Sequence, residues 1–322
     1  MSELIRWGIV TAGRIAHQFT DDLANIDSCE ITAVYSRTKQ TAERFAEKYD
    51  ISQIYDSVEA LVSSEDIDCV YVASPHSFHE SHVRAAISAK KPVLCEKPLA
   101  LNANSASALI QQAISARILL MEGMWTYFLP AYQTAMRWFR DGAIGPLVQI
   151  KVDFGYPQLP FSPDRREYNA SLGGGAMWEM GIYPVALVWD VMKTQPKSVH
   201  TIQKYAPNGV EDDLASILEF ESVIATVGTS FRCKLENTAY LIGRDGYIEI
   251  PDFWRCREAK LYELETLIEH FVDDRTSNGF EFEALSFMED IRRGRTEPSR
   301  VSHEDSVAFQ QMMETITQNT HL

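Results

Sequence analysis

Apolar residues in the first third of the chain fall into short runs separated by longer stretches of helical spacing. Residues 4–10, 30–35, 68–73, 92–95 and 118–121 are compact runs of strand length, rich in Val, Ile and Leu. Between them, residues 14–26, 38–49, 79–89 and 104–116 carry the spacing expected of helices. Strands alternating with helices of about 10–15 residues predict βαβ units and an α/β, doubly wound parallel sheet. The crossovers of such a sheet are right-handed.

The pattern changes after residue 121. Residues 130–140 predict a helix ended by Asp141-Gly142. Strand-like runs follow at 147–154, 199–204, 215–220, 223–230, 239–243 and 246–250, without helices between most of them. That arrangement predicts a largely antiparallel sheet. Arg244-Asp245-Gly246 sets an Asp-Gly hairpin turn between two of these runs. Residues 282–292 and 304–317 predict closing helices. There is no internal repeat and no low-complexity linker. The expected organisation is a nucleotide-binding domain over residues 1–123 and an α+β domain over 124–322, with a ligand crevice between them.

Composition narrows the partners. In 322 residues, 30 basic side chains face 45 acidic ones, a net charge of −15. Such a surface repels phosphate backbones, so nucleic acid is not an expected partner. One small phosphorylated ligand in a local basic pocket is compatible with it. No apolar run approaches the ~18–20 residues that cross a bilayer, so no membrane association is expected. Residues 1–6 have no basic segment leading into an apolar core, so no secretory leader is expected. Cys29, Cys69, Cys95, Cys233 and Cys256 are odd in number and include no CxxC pair. They predict buried, reduced thiols rather than a disulfide framework or a zinc site, and a cytoplasmic protein. His76, His79 and His82 are spaced by three, but three-residue steps drift around a helix and no carboxylate or cysteine pattern supports them. No metal site is expected; these histidines read as loop and helix-start residues beside a cofactor.

The first strand–helix junction carries the chemistry. Gly8-Ile9-Val10-Thr11-Ala12-Gly13-Arg14-Ile15-Ala16 is a degenerate dinucleotide fingerprint, with Thr11 at the first glycine position, Gly13 at the second and Ala16 at the third. Its residues Thr11, Ala12, Gly13, Arg14 and Ile15 would offer a tight turn and a helix N-terminus to a pyrophosphate. At the end of the second strand, where an NAD enzyme usually places a carboxylate, the chain has Ser36-Arg37. A hydroxyl and a guanidinium suit a 2′-phosphate, which favours NADP over NAD. Glu96-Lys97-Pro98 follows a predicted parallel strand, whose carboxyl end is where ligands bind, so Lys97 could stabilise charge developing on a substrate oxygen. Gly173-Gly174-Gly175 precedes a predicted helix that would place Glu179 and Tyr183 on one face, and Tyr183 could move a proton. The triple glycine permits unusual backbone and close approach to a ligand. Trp125, Tyr127, Phe128 and Tyr132 form an aromatic group that could wall a substrate pocket or fill the core.

Taken in order and spacing, these motifs resemble the Gfo/Idh/MocA oxidoreductase family over essentially the whole chain. The fragments that carry the resemblance are Gly8 to Ala16, Val72-Ala73-Ser74-Pro75-His76, Glu96-Lys97-Pro98, Gly173 to Pro184 and Gly279-Phe280-Glu281-Phe282-Glu283. Ile291-Arg292-Arg293-Gly294 and Glu297-Pro298 are also similar. Arg6-Trp7-Gly8-Ile9-Val10, Trp125-Thr126-Tyr127-Phe128-Leu129-Pro130 and Gly181-Ile182-Tyr183-Pro184 are closest to its dihydrodiol and D-xylose dehydrogenase branch. The resemblance implies a Rossmann domain followed by an open-faced sheet domain that mediates homodimerisation. It implies NADP-linked oxidation of a vicinal diol, polyol or aldose, or the reverse reduction. Lys97 becomes the catalytic lysine, Tyr183 the acid/base and Glu179 the residue that orients substrate. Ser74, Pro75, His76, His79, Glu96 and Lys97 join Ser36, Arg37 and the fingerprint at the cofactor. Trp125, Tyr127, Arg166, Glu179 and Tyr183 are the candidate substrate residues. The branch usually has aspartate in place of Glu179 and arginine in place of Tyr127. An extra methylene moves a carboxylate by roughly 1 Å. Two other readings stay open: a non-catalytic NADP-binding regulatory protein, and another chemistry on the same fold, such as redox-cycling glycoside cleavage or reduction of an imine or linear tetrapyrrole.

Overall fold

The computed structural model describes residues 4–319. Met1, Ser2 and Glu3, part of the N-terminal stretch read above for a leader, lie outside the described residues. In chain order the strands and helices are β1 (Ile5–Val10), α1 (Arg14–Leu23), β2 (Cys29–Tyr35), α2 (Lys39–Tyr49), β3 (Gln53–Tyr55), α3 (Val58–Val62), β4 (Cys69–Val72), α4 (His76–Ser88), β5 (Val93–Glu96), α5 (Ala103–Ala116) and β6 (Leu120–Gly123). There follow α6 (Pro130–Arg140), β7 (Leu147–Gly155), α7 (Ile182–Met192), β8 (Ser198–Tyr205), β9 (Glu211–Glu219), β10 (Ile224–Ser230), β11 (Ala239–Gly243), β12 (Tyr247–Ile250), β13 (Glu258–Glu263), β14 (Thr266–Val272), α8 (Phe280–Arg292) and α9 (His303–Gln318).

The chain forms two compact units. One joins the described residues up to Trp125 with Thr276–Ser306; the other joins Thr126–Arg275 with the described residues from Val307. This differs from the expected division at residues 123 and 124, because α8 belongs with the first unit. Two forces hold it there. Trp7 is fully buried between Phe19 and Phe287, each 5.4 Å away, and Phe19 stacks on Tyr71 at 3.8 Å and meets Phe280 at 6.4 Å. Asp22, near the end of α1, accepts from the backbone N–H groups of Asn278, Gly279 and Phe280 at 3.0, 2.9 and 2.9 Å. Those are donors at the start of α8 that have no partner within the helix.

In the first unit six parallel strands run in the order β3-β2-β1-β4-β5-β6. This is the doubly wound arrangement expected. β4, β5 and β6 are buried at every position, as strands covered on both faces must be. Thr38, Ser57 and Asn102 cap α2, α3 and α5 through their side-chain oxygens. The short β3 and α3 carried too few residues to show a period.

The second unit is an eight-stranded sheet in the order β14-β13-β12-β11-β7-β10-β9-β8. It is antiparallel except between β7 and β10, which run parallel. The Asp-Gly hairpin joins β11 to β12 as expected, with the Gly243 N–H on the Gly246 carbonyl at 2.9 Å. β13 and β14 were not legible: β14 is an edge strand exposed along most of its length, so it lacks alternation, and the pairing slips between Leu261 and Tyr262. One face of the sheet is core, with Ile150, Ala225, Leu218, Leu241, Ile248 and Ala259 at or near zero exposure. Across the other, His200, Ile217, Thr226, Lys151, Tyr240, Glu249, Lys260 and His270 align in register from β8 to β14. Ile202, Ile217 and Ile224 on that open face are 63%, 51% and 49% exposed.

Candidate functional site

The first unit presents the candidate cofactor residues at the carboxyl ends of its strands. β1 ends at Val10, and Thr11 then turns with φ of 74° while its N–H bonds the Tyr35 carbonyl at 2.8 Å. A β-branched residue at positive φ is strained by about 1–3 kcal/mol. Glycine, which the fingerprint prefers at this position, would turn freely. The Thr11 Oγ1 is buried without a hydrogen-bond partner, and Gly13, at the cap position before α1, leaves the helix with no side-chain cap and no acidic residue in its first turn. An orphaned hydroxyl beside uncapped N–H groups fits the pyrophosphate of a dinucleotide. Gly13 and Arg14 are exposed there, Ile15 is half-buried, and Ala12 is buried. Ala16, fully buried, lets α1 pack closely on the sheet. Ser36 and Arg37 follow directly on β2, Ser36 half-buried and Arg37 exposed.

The next two strand ends are tied together. Ser74 and Pro75 lead from β4 into α4, and the Lys97-Pro98 bond, which is cis, follows β5. His79 is fully buried, with Nε2 2.8 Å from the Ser74 carbonyl and Nδ1 2.7 Å from the Pro98 carbonyl. Burial, and the neighbouring His76, push its pKa down to about 3, so the ring is neutral and donates to one of the two carbonyls. His82 completes the loop with Nδ1 3.0 Å from the Ser74 hydroxyl. His79 and His82 thus hold backbone and loop, and among the described residues no three His, Cys, Asp or Glu side chains come together as a metal cluster. On the far side of Pro98, the Leu99 N–H donates to Glu122 Oε1 at 2.8 Å. Glu96 is buried and accepts from the Tyr71 hydroxyl at 2.5 Å. Lys97 is the half-buried residue between these fixed points. Trp125 stacks on Phe280 at 4.4 Å and is buried.

The second unit holds the candidate proton-transfer residues. Gly174 lies so close to the backbone carbonyls of Arg166 and Glu167 that a Cβ would stand 2.7 and 2.5 Å from them, and Gly175 has φ of 137°. The close approach expected toward a ligand is therefore made at Gly174 to the chain's own backbone. It brings residues 166–168 beside the following helix. That helix opens with one π turn, Met177–Gly181, before α7, where an uninterrupted α-helix was expected. Such turns recur at functional sites. Glu179 sits on the π turn and Tyr183 on the first turn of α7, both buried. Arg166 grips Glu179 through both guanidinium nitrogens, Nη1 to Oε1 and Nη2 to Oε2, the latter at 2.8 Å. This bidentate pair neutralises the buried carboxylate. Tyr183 packs edge-on to Phe154 at 5.5 Å and 6.0 Å from Trp254.

Tyr127 has a different place from the one expected. It is buried, stacks on Tyr132 at 5.4 Å, and donates its hydroxyl to the Ala186 carbonyl of α7 at 2.6 Å. A phenol satisfied inside the core supports α7. All five cysteines are free; Cys233 is exposed and Cys29 half-buried, where buried thiols were expected.

One residue the sequence did not single out supports the candidate residues of the second unit. Glu211, at the start of β9, accepts the Met177 N–H at 3.1 Å and also bonds the Ala176 N–H. Its Oε1 is sealed from solvent without a partner. Burial raises its pKa to about 7. The acidic run Glu211-Asp212-Asp213 was its only trace in the sequence, and a charge run at a strand start ordinarily means a solvated edge. Folding holds the Glu211 proton up to about pH 7, whereas the unfolded chain releases it near the usual 4.5. Its contribution to stability is therefore fully present below about pH 4.5 and declines as pH rises toward 7. Glu211→Gln should flatten this decline, worth on the order of 3 kcal/mol between pH 5 and 8. Urea unfolding of both proteins across that range checks it; parallel pH dependences would refute it.

The comparisons agree with this layout. Residues 5–124 match the oxidoreductase family with an NAD-binding Rossmann fold, and residues 132–249 match the GFO/IDH/MocA C-terminal domain. A trans-1,2-dihydrobenzene-1,2-diol dehydrogenase of Danio rerio is 32% identical over 96% of this chain and 95% of its own. A 3-ketoreductase from Actinomadura kijaniata, solved with NADP and TDP-benzene, superposes with a TM-score of 0.89 at 23% identity, covering 99% of this chain and 98% of that one. A levoglucosan dehydrogenase, solved with NADH and levoglucosan, gives 0.87 at 17% identity, covering 98% and 97%. Those two likenesses show the shared fold. The chain is an enzyme of the Gfo/Idh/MocA oxidoreductase family, with a nucleotide-binding Rossmann domain.

Proposed function

We propose that the protein is an NADP-linked dehydrogenase acting on a carbinol carbon of a vicinal diol, sugar or polyol, or on the corresponding carbonyl. The observation that carries this reading is the lysine loop. Lys97 leaves the carboxyl end of β5 in a segment held before it by the Tyr71 hydroxyl on Glu96 and after it by His79 at Pro98 and Glu122 at Leu99. A side chain held so tightly on both flanks suits a task that needs placement. When bound, the nicotinamide supplies a two-electron hydride acceptor or donor. Tyr183 takes the substrate hydroxyl proton during oxidation and returns it during reduction. Lys97, as an ammonium, hydrogen-bonds the reacting oxygen and stabilises the charge that develops on it. Glu179, fixed by Arg166, orients a second hydroxyl of the substrate. Such a hydroxyl pair is what a diol or sugar offers, and the names of the relatives point the same way.

Turnover of NADP with a panel of diols and aldoses, followed by NADPH fluorescence, tests this. Lys97→Met and Tyr183→Phe should each lower kcat by about 100-fold or more while cofactor binding persists. Unimpaired turnover in both variants would defeat the assignment.

Arg37 and Ser36 are proposed to hold the 2′-phosphate. No carboxylate stands among Ser36, Arg37 and Thr38 to repel it. Arg37→Ala should weaken NADP by about 10–100-fold and leave NAD nearly unchanged, as loss of a charge-assisted hydrogen bond requires. Isothermal titration with both cofactors distinguishes the cases; equal weakening of the two would rule the role out.

We further read the open face of the eight-stranded sheet as the contact between two copies of the chain. Its exposed Ile202, Ile217 and Ile224 are apolar side chains that a partner sheet would cover. Sedimentation velocity at micromolar concentration should show a dimer, and Ile217→Lys should shift it to monomer; a wild-type monomer at tens of micromolar would exclude the interface. No helix among the described residues is long and apolar enough to cross a membrane. Five free thiols fit a reducing compartment such as the cytoplasm.

A further inference from the structure

Glu122 has no part in the reaction as described above, yet it is 1% exposed in the middle of the first unit. The sheet places it: Glu122 is the register partner of Cys95, and Gly123 that of Glu96, so the end of β6 lies beside the residues that lead into Lys97. One carboxyl oxygen, Oε1, takes the Leu99 N–H at 2.8 Å. The Ser306 hydroxyl, on α9, bonds the same carboxyl. The other oxygen, Oε2, is buried without a hydrogen-bond partner. A buried carboxylate with an unsatisfied oxygen is costly unless a cation lies near it. The cation acting on Glu122 is Lys97.

We infer that Glu122 is a positioning residue for Lys97: it anchors the loop after Pro98 through Leu99 and, as a carboxylate, keeps the lysine amine in its ammonium form. The inference deepens the assignment of Lys97 as the catalytic amine and takes its functional meaning from that reading.

The groups that face Glu122 set the order of ionisation. Burial is the main cause that raises its pKa, Asp305 on α9 adds repulsion, and Ser306, the Leu99 N–H and Lys97 oppose them; the balance lies at about 7. The Cys95 thiol across the ladder is pushed well above its ordinary value by burial, and so stays neutral. His303, whose Nε2 is 3.1 Å from the Leu120 carbonyl, has a lowered pKa through burial and adds no charge at neutral pH. As pH rises, Glu122 therefore gives up its proton well before an amine would. Above neutrality an anion faces Lys97 and opposes loss of its proton. A neutral amine could not supply the charge that the reacting oxygen needs.

The test reads the amine itself. Whole protein without cofactor is labelled with trace acetic anhydride between pH 7 and 11, and the acetylated fraction of Lys97 is measured by peptide mass spectrometry. The midpoint of Lys97 in Glu122→Gln should fall by about one pH unit or more, the effect of removing a carboxylate from a half-buried amine. Glu122→Asp, which keeps the charge, should hold the midpoint within about half a unit of the wild type. An unchanged midpoint in Glu122→Gln overturns the inference, as does an equal fall in Glu122→Asp, which would trace the shift to a disturbed loop. Labelling does not depend on turnover. The result therefore stands apart from that of Lys97→Met: an inactive Lys97→Met with an unchanged Glu122→Gln midpoint removes only the role of Glu122.

Discussion

A backbone N–H that leaves water must find an acceptor, and at several junctions among the described residues the acceptor is a buried carboxylate. Asp22 takes the three N–H groups that open α8. Glu122 takes the N–H of Leu99 beyond the lysine loop. Glu211 takes the N–H groups that open the π turn before α7. Each junction is a place where chain direction changes beside a candidate functional element. A neutral acceptor could make these bonds, but an anion makes them stronger and complements the positive end of a helix. The cost is desolvation, visible in the carboxyls that burial drives up to about 7.

This changes the meaning of the net charge of −15. Some of that excess is solvated surface, as at the exposed Glu43, Glu47 and Glu221. A few of the acidic residues are structural acceptors instead, and composition does not separate the two kinds. Arg166 and Glu179 form a third kind, in which the buried anion is met by a cation and not by backbone. There a bidentate guanidinium holds both carboxylate oxygens of Glu179.

How far the sequence led depended on range. Apart from the short β3 and α3, the parallel strands and their helices were legible because each buries a continuous run or one stripe. The glycine-poor fingerprint was legible because a strand, a turn and a helix adjoin in the chain, and the structure adds what sequence could not: Thr11 adopts the turn that glycine would take more easily. The Asp-Gly hairpin was likewise local. What escaped was set by partners far away in sequence. Tyr127 could be read as a pocket wall or as core, and its hydroxyl on the Ala186 carbonyl, 59 residues on, was not visible in the sequence. Glu122 and Glu211 looked like ordinary acids because their acceptor role depends on register between strands and on a distant turn. β14 escaped because an edge strand need not alternate. Placing α8 in the second domain failed for the same reason: nothing in α8 itself announces Asp22.

That last feature has a consequence in time. Asp22 and Phe280 are separated by 258 residues, and the aromatic cluster of Trp7, Phe19 and Tyr71 is completed by Phe280 and Phe287. A chain emerging from the ribosome shows its nucleotide-binding half first, yet that half lacks one wall of its core until the 258 residues from Asp22 to Phe280 have been made. Through most of synthesis Asp22 has no helix to cap, and Trp7 and Phe19 lack their covering rings. The part of the molecule that begins first is therefore among the last to be finished.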